Sequence, residues 1–386
     1  MSMLSTLYTP TAARHDRPTG RLDVRWQKIL VALALSVVSE IATWVFVRGY
    51  GYWVLGQSLG LRSLCRWDCF WYGSIVLYGY DAVPSRSPAS DAANWAFYPL
   101  FPLLAGLWHR LAGFGFEDSL IITGTLALPV CIYLFIEFVD EDDIAVSPWV
   151  SGSLVAFGPY ALYAHTGYSE PLYFALCTGA LLALRRNRWL AAGLLAAACS
   201  ATRLVGVFLV LPMLAHLVGR GDRVPGPSER GARLEPLLAI ALVPLGVTLF
   251  GWYLYGRSGD MLAFAHIQVA WGRSLQNPLV VWWQGFHYGG WPRVFALQAG
   301  LALLAAAYLC ASRRIGYGAY LAAAVMLPLC SSVWSIPRYV FWQPVFLLVL
   351  ADLVRWPPLA RILLPLLWAG YFLMIAAWFS GQRFVV

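Results

Sequence analysis

Apolar stretches of roughly 16 to 22 residues recur from about residue 29 to residue 379, separated by short polar or arginine-bearing links. Each is long enough, or nearly so, to cross a hydrocarbon core as a helix, which takes about 20 apolar residues. The composition agrees, with 60% of the 386 residues hydrophobic and 12% charged, about half the charge of a water-soluble domain. The chain reads as an all-α polytopic membrane protein, and a single soluble core is excluded.

A net charge of +8 would suggest nucleic acid in a soluble protein, so it has to be tested first against the positive-inside rule. Arg14, Arg17, Arg21, Arg25 and Lys28 precede the first apolar segment, 29–47, and place the N-terminus in the cytoplasm. That segment is long and ends at Arg48 without a small-residue cleavage site, so it reads as an uncleaved first span. The remaining spans are expected at about 118–138, 147–164, 171–185, 189–202, 204–219, 237–255, 293–311, 316–333, 339–354 and 362–379, eleven in all. Residues 1–28 form a cytoplasmic tail in this scheme, and 29–386 a single transmembrane domain.

The segment Trp95 to Leu111 decides the orientation of everything after it. Pro99 and Pro102 interrupt it, and Trp95, Phe97, Tyr98, Phe101 and Trp108 suit a membrane interface. Read as a juxtamembrane helix in a large outer loop, about 49–116, it leaves all later basic clusters inside: Arg185, Arg186 and Arg188; the arginine-rich 220–233; Arg313 and Arg314; Arg355 and Arg361. With the tail these make 16 of the 27 lysines and arginines, so most of the positive charge is an orientation device. No basic run interleaved with aromatics stands outside the membrane, and nucleic acid is not an expected partner.

The outer face then collects loop 49–116 with its polar stretch 83–91, the turn 165–171, the turn around Arg203, the loop 256–292 and the segment 334–338. Asp140, Glu141, Asp142 and Asp143 read as a solvated inner loop rather than a metal site. The seven cysteines are scattered; Cys65 and Cys69 share a loop but show neither a C-x-x-C nor a zinc spacing.

Residues that could carry chemistry lie mostly on the outer side. Asp68, between Arg66-Trp67 and Cys69-Phe70-Trp71-Tyr72, is a carboxylate among aromatics, a setting that suits a general base and equally a surface helix cap. Glu170, followed by Pro171, fits a helix N-terminal acid and also a sugar-hydroxyl acceptor. Arg203 interrupts about thirty apolar residues, where an ionisable group is costly and faces a cavity or a partner. It suits a phosphate, or a pair with Glu170. Arg338 has the same possible role beside that of an interfacial arginine reaching for water. Glu40 is intramembrane, with no partner nameable from sequence. In loop 256–292, His266, Gln268, Trp271 and Arg273 suit carbohydrate and equally an interfacial helix, and His266 and His287 are too isolated for a metal site. There is no P-loop, no G-x-G-x-x-G opening a helix and no G-x-S-x-G elbow.

Trp67-Asp68 after span 1, Trp95-Ala96-Phe97-Tyr98-Pro99-Leu100-Phe101-Pro102, Tyr168-Ser169-Glu170-Pro171-Leu172-Tyr173, Arg203-Leu204-Val205-Gly206 and Ile336-Pro337-Arg338-Tyr339 together resemble the GPI mannosyltransferase II (PIG-V) family and its bacterial relatives. The resemblance runs from about residue 29 to 350. It implies a GT-C glycosyltransferase fold with about eleven transmembrane helices and a large first outer loop. The implied activity is transfer of mannose from polyprenyl-phosphate-mannose to a lipid or glycolipid acceptor, on the extracytoplasmic face of the plasma membrane, with inversion. It implies Asp68 as the catalytic carboxylate and raises Glu170, Arg203 and Arg338 to site residues; Arg66, Trp67, Tyr98, Tyr168 and Tyr339 in or beside the same motifs, and His266 and Gln268 of loop 256–292, complete the substrate-binding candidates, and no metal or other cofactor is expected. Trp71-Tyr72 stands where eukaryotic relatives usually have histidine after the Trp-Asp motif, which leaves the acceptor open. The competing classes are a secondary transporter, disfavoured because the two halves do not match, and a non-catalytic lipid-handling protein.

Overall fold

The computed structural model describes residues 21–86, 90–219 and 234–380. The tail arginines Arg14 and Arg17, residues 87–89 of the polar stretch and the arginine-rich 220–233 lie outside the described residues. Among the described residues the regular structure is helical, with one isolated bridge between Arg86 and Ala92. Helices satisfy their backbone groups internally, as a chain in lipid requires.

The first helix, α1 (Arg21–Tyr50), is continuous with a π-helical turn, Gly51–Leu55. The segment between α1 and α4 contributes α2 (Asp68–Tyr78) and α3 (Leu100–Ala112), the second coinciding with the expected juxtamembrane segment. Then follow α4 (Phe116–Glu141), α5 (Pro148–Ala156), α6 (Glu170–Arg185), α7 (Trp189–Ser200), α8 (Val210–Leu217), α9 (Leu234–Leu242) and α10 (Leu245–Ser258). The chain continues through α11 (Ala263–His266), α12 (Pro278–Tyr288), α13 (Gly290–Ala311), α14 (Ile315–Leu329), α15 (Ile336–Phe341), α16 (Pro344–Val354) and α17 (Pro357–Phe379).

Each of the eleven apolar segments carries helix, but they differ in reach. Val24–Leu55, Phe116–Glu141, Gly290–Ala311 and Pro357–Phe379 are long and apolar enough to cross a membrane. The pair α9 and α10 passes only as one span bent by 42°. At 1.5 Å per residue the 16 residues of α6 give about 24 Å, short of a hydrocarbon core of about 30 Å. Two further expected spans are interrupted. Segment 147–164 stops being α-helical at Ala156, just before Gly158-Pro159, and resumes as a 3-10 turn, Ala161–His165. Segment 339–354 divides at Trp342-Gln343, because Pro344 lacks the N–H that would continue the helix. The piece before that break is α15, and it carries Arg338.

The two ends of the bundle are both charged, but differently. At the end where α4 and α6 finish, Lys28 pairs with Glu137 at 2.7 Å and Asp140 at 2.9 Å. Arg186 pairs with Glu141 at 2.6 Å and Glu137 at 3.0 Å. Asp142 is buried between Arg185, 2.7 Å away, and Arg314. The acidic run is only in part the solvated loop expected: Asp140 and Asp143 are exposed, while convergence of α1, α4, α6 and α14 supplies Asp140, Glu141 and Asp142 with cations from 43 to 172 residues away. Glu40 also acquires a partner, His165 Nδ1 at 2.7 Å, while His165 Nε2 lies 3.2 Å from Ser39 Oγ.

Candidate active site

The opposite end is built around the start of α2. Trp67, immediately before it, has φ +48°, a value few non-glycine residues adopt. Three contacts hold it there. The indole packs edge-on against Trp378 at 4.5 Å between centroids. A disulfide joins Cys65 to Cys69, bracketing the Trp67-Asp68 pair. The Tyr168 hydroxyl donates to the Arg66 carbonyl at 3.2 Å and accepts from the Asp68 N–H at 3.3 Å. Gly167 makes this approach possible: its φ is +73°, and a Cβ there would stand 2.7 Å from Cys69 Sγ. The disulfide was not legible in the spacing of the two cysteines.

Asp68 thus leaves the first turn of α2 facing the bundle, where Arg338 Nη1 lies 2.7 Å from its Oδ2. The Arg338 Nε donates to Glu170 Oε1 at 2.6 Å, and Arg203 Nη1 sits 2.6 Å from the same oxygen. Four residues spread over 270 positions of sequence form one chain of charge, Asp68 to Arg338 to Glu170 to Arg203. Two carboxylates and two guanidiniums leave it formally neutral. Glu170 is fully buried, both arginines are at most one-tenth exposed, and Asp68 is one-fifth exposed. Burial strengthens such pairs, and it also makes any unmatched charge expensive.

Aromatic faces complete the walls. The Arg338 guanidinium lies 4.9 Å from the Tyr168 ring centroid and 5.4 Å from that of Tyr163. Arg203 lies 4.6 Å over Tyr339 and 6.0 Å from Tyr173. These stacks hold the cations without consuming their N–H donors. Tyr72 of α2 donates to Ser169 at 2.9 Å, fastening that helix to the residue before Glu170.

The expected site residues therefore separate into two groups. Asp68, Trp67, Tyr168, Glu170, Arg203, Arg338 and Tyr339 come together. The N-cap position of α6 is Ser169, and the Glu170 carboxylate pairs with two arginines. Arg338 is buried rather than reaching for an interface. Asp68, expected in an aromatic, partly desolvated setting, stands in an ion pair as well.

The others point elsewhere. The Arg66 side chain turns to the C-terminal end of α17, bonding the Trp378 carbonyl at 3.2 Å and stacking on Phe379 at 5.0 Å. Tyr98 packs between Phe250 and Phe264, with centroids at 5.2 and 5.6 Å. His266 is exposed and bonded to Asp260 at 2.7 Å, an interaction that lowers the Asp260 pKa. Gln268 accepts from Arg273 at 3.2 Å.

Sequence reasoning gave Tyr173 no role although it closes the Tyr168–Tyr173 motif, and it missed Tyr163, one among 59 aromatic residues with no local mark. It also missed the position of Arg273, which donates to Ser335 at 2.9 Å and ties the loop 256–292 to the residue preceding α15. Among the described residues no group of three or more His, Cys, Asp or Glu is placed to hold a metal ion.

No protein-family model matches the sequence. No curated protein matches it either. Among solved structures, the chain is similar to the crystal structure of ArnT from Cupriavidus metallidurans bound to undecaprenyl phosphate, with 15% sequence identity and a TM-score of 0.49. The match covers 89% of this chain, which spans 62% of the length of that one.

Proposed function

We propose that the chain is a GT-C glycosyltransferase that moves mannose from polyprenyl-phosphate-mannose to a lipid-linked glycan or glycolipid, at the extracytoplasmic face of the plasma membrane. The observation that carries this reading is the gathering of Asp68, Glu170, Arg203 and Arg338, drawn from four separate motifs, at the end of the bundle opposite the arginine-bearing links. The Cys65–Cys69 disulfide beside Asp68 supports the outer placement, since such bonds persist in oxidising compartments.

The chemistry follows from what each group has free. Asp68 takes the proton of the acceptor hydroxyl, and the oxygen attacks the anomeric carbon of a β-linked mannosyl phosphate. The bond from that carbon to the phosphate oxygen breaks, giving an α-mannoside and the polyprenyl phosphate. A guanidinium offers five N–H donors. Arg338 spends Nε on Glu170 and one Nη1 N–H on Asp68, and Arg203 spends Nη1 on Glu170, so each keeps donors for the departing phosphate. Charge-assisted bonds of this kind stabilise the developing negative charge. Glu170 fixes both cations and is a positioning residue in this scheme.

The test is transfer of labelled mannose from synthetic polyprenyl-phosphate-mannose to lipid by membranes holding the full chain. Loss of a general base lowers rates by about 10²- to 10⁴-fold, and Asp68→Asn is expected in that range while the protein still folds and binds donor. Transfer at the native rate by Asp68→Asn defeats the assignment. Polyprenyl-phosphate-glucose as donor separates the choice of hexose from the reaction class. Solute uptake by vesicles that show no transfer favours the transporter.

A further inference from the structure

A second feature lies on the face of α6 turned away from Glu170. Leu172, Ala175, Gly179, Leu182 and Arg186 follow the three- and four-residue spacing of a single helix face. Tyr173 and Cys177, on the opposite face with Glu170, point inward to Tyr320. The outward stripe floors an open groove of about 480 Å³ between α4 and α7, walled by Val130 and Leu195. That volume falls in the range of about 300 to 1,000 Å³ usual for small-ligand sites. Its lining is apolar along nearly the whole of α6 and ends on two arginines, Arg186 and Arg188.

The two arginines are not equivalent. Arg186 is already paired with Glu137 and Glu141. Arg188 is exposed and has no ion-pair partner among the described residues. The neighbouring cations Lys28, Arg185 and Arg314 are likewise matched by carboxylates, and of the two arginines that line the groove Arg188 is the one left without an ion pair among the described residues. An apolar trough leading to an unmatched guanidinium complements a molecule with a long hydrocarbon chain and one anionic head.

We infer that the groove on α6 binds an anionic glycerophospholipid, with an acyl chain along Leu172, Gly179 and Leu182 and the phosphate on Arg188. The site is separate from the charged cluster and holds a resident lipid, not a reactant. Only the leaflet that supplies the lipid rests on the orientation proposed above; the groove and its arginine do not.

The experiment is native mass spectrometry of the purified full chain with phosphatidylglycerol or phosphatidylcholine added at equal concentration, and with polyprenyl phosphate as a competitor. One arginine near a membrane surface favours an anionic lipid by about five-fold. The wild-type chain is expected to retain phosphatidylglycerol over phosphatidylcholine by that factor. Arg188→Gln, on an exposed position, removes most of the preference. Gly179→Leu fills the floor, where an added Cβ meets Leu195 at an ordinary 3.4 Å, and reduces retention of both lipids with Arg188 intact. Equal retention of the two lipids by the wild type overturns the inference. So does loss of preference in Arg188→Gln with retention unchanged in Gly179→Leu, which describes a surface charge without a seated chain. Displacement of phosphatidylglycerol by equimolar polyprenyl phosphate assigns the groove to a different occupant and also overturns it. None of these readings depends on mannose transfer, so failure of the enzymatic proposal is scored separately.

Discussion

Removing the charge of Glu170 tests whether the cluster is held by charge balance. Glu170→Gln keeps the shape of the side chain but leaves Arg203 and Arg338, both buried, to share the single carboxylate of Asp68. One guanidinium is then uncompensated, and breaking a buried pair from one side costs about 3–5 kcal/mol. Unfolding entropies of about 2.1 cal/mol/K per residue put a chain of 386 residues near 0.8 kcal/mol/K. The expected loss is therefore roughly 4–6 °C in Tm, read by intrinsic fluorescence of the detergent-solubilised protein. The charge-balance account makes a sharper demand on the double variant. Glu170→Gln with Arg203→Gln removes one anion and one cation, leaving Arg338 paired with Asp68. It should be less destabilised than the sum of the two single variants by about 0.5–3 kcal/mol. Additive single effects, or a Glu170→Gln protein that melts with the wild type, would refute the reasoning.

Asp142→Asn at the other end strips Arg185 and Arg314 of their shared carboxylate and is expected to cost about 3–5 kcal/mol, with no direct effect on mannose transfer per folded molecule. Gly167→Ala forces a methyl group against Cys69 Sγ at a positive φ; a thermal scan should show a loss of about 1–3 kcal/mol, and transfer should fall because the Trp67-Asp68 turn shifts. Replacing Cys65 and Cys69 together with serine opens a loop of about five residues, worth about 2 kcal/mol in chain entropy. In a background lacking Cys310, an impermeant maleimide should label Leu275→Cys on intact cells and Arg188→Cys only after permeabilisation; the reverse pattern would overturn the orientation.

The residues of the charged cluster were visible one by one because a charge inside or beside an apolar run is expensive and stands out. Asp68, Glu170, Arg203 and Arg338 all carry that mark. Their partnerships were not visible, because Arg338 meets Asp68 across 270 residues and it is the packing of α15 against α13, α14 and α16 that sets that meeting. The same limit concealed His165 as the partner of Glu40, 125 residues away, and Arg314 as a partner of Asp142. Within the acidic run Asp142 departs from the solvated reading for this reason: a carboxylate in such a stretch looks solvated until distant cations are folded onto it. Arg66 and His266 illustrate the converse error. Proximity in sequence to a site residue, or an outer loop composition suited to sugars, says nothing about which way a side chain turns.

Helix boundaries followed apolar length well for α1, α4, α13 and α17, where a continuous run leaves the backbone few alternatives. They followed it poorly at Gly158-Pro159 and Pro344, where the apolar pattern continues but the hydrogen-bond ladder does not. One of those breaks has a functional place, because it frees α15 as a six-residue element able to aim Arg338 inward.

The order in which the four charges leave the ribosome has its own consequence. Asp68, Glu170 and Arg203 are synthesised first and carry a net charge of −1 among them, an unbalanced set in an otherwise apolar assembly. Arg338 arrives only when seven-eighths of the chain has been made. Until then nothing neutralises the remaining carboxylate or bridges Asp68 to Glu170. The cluster is thus completed by its last member, and a chain halted before α15 has most of its helices but not the balance that holds α2 and α6 together at this end.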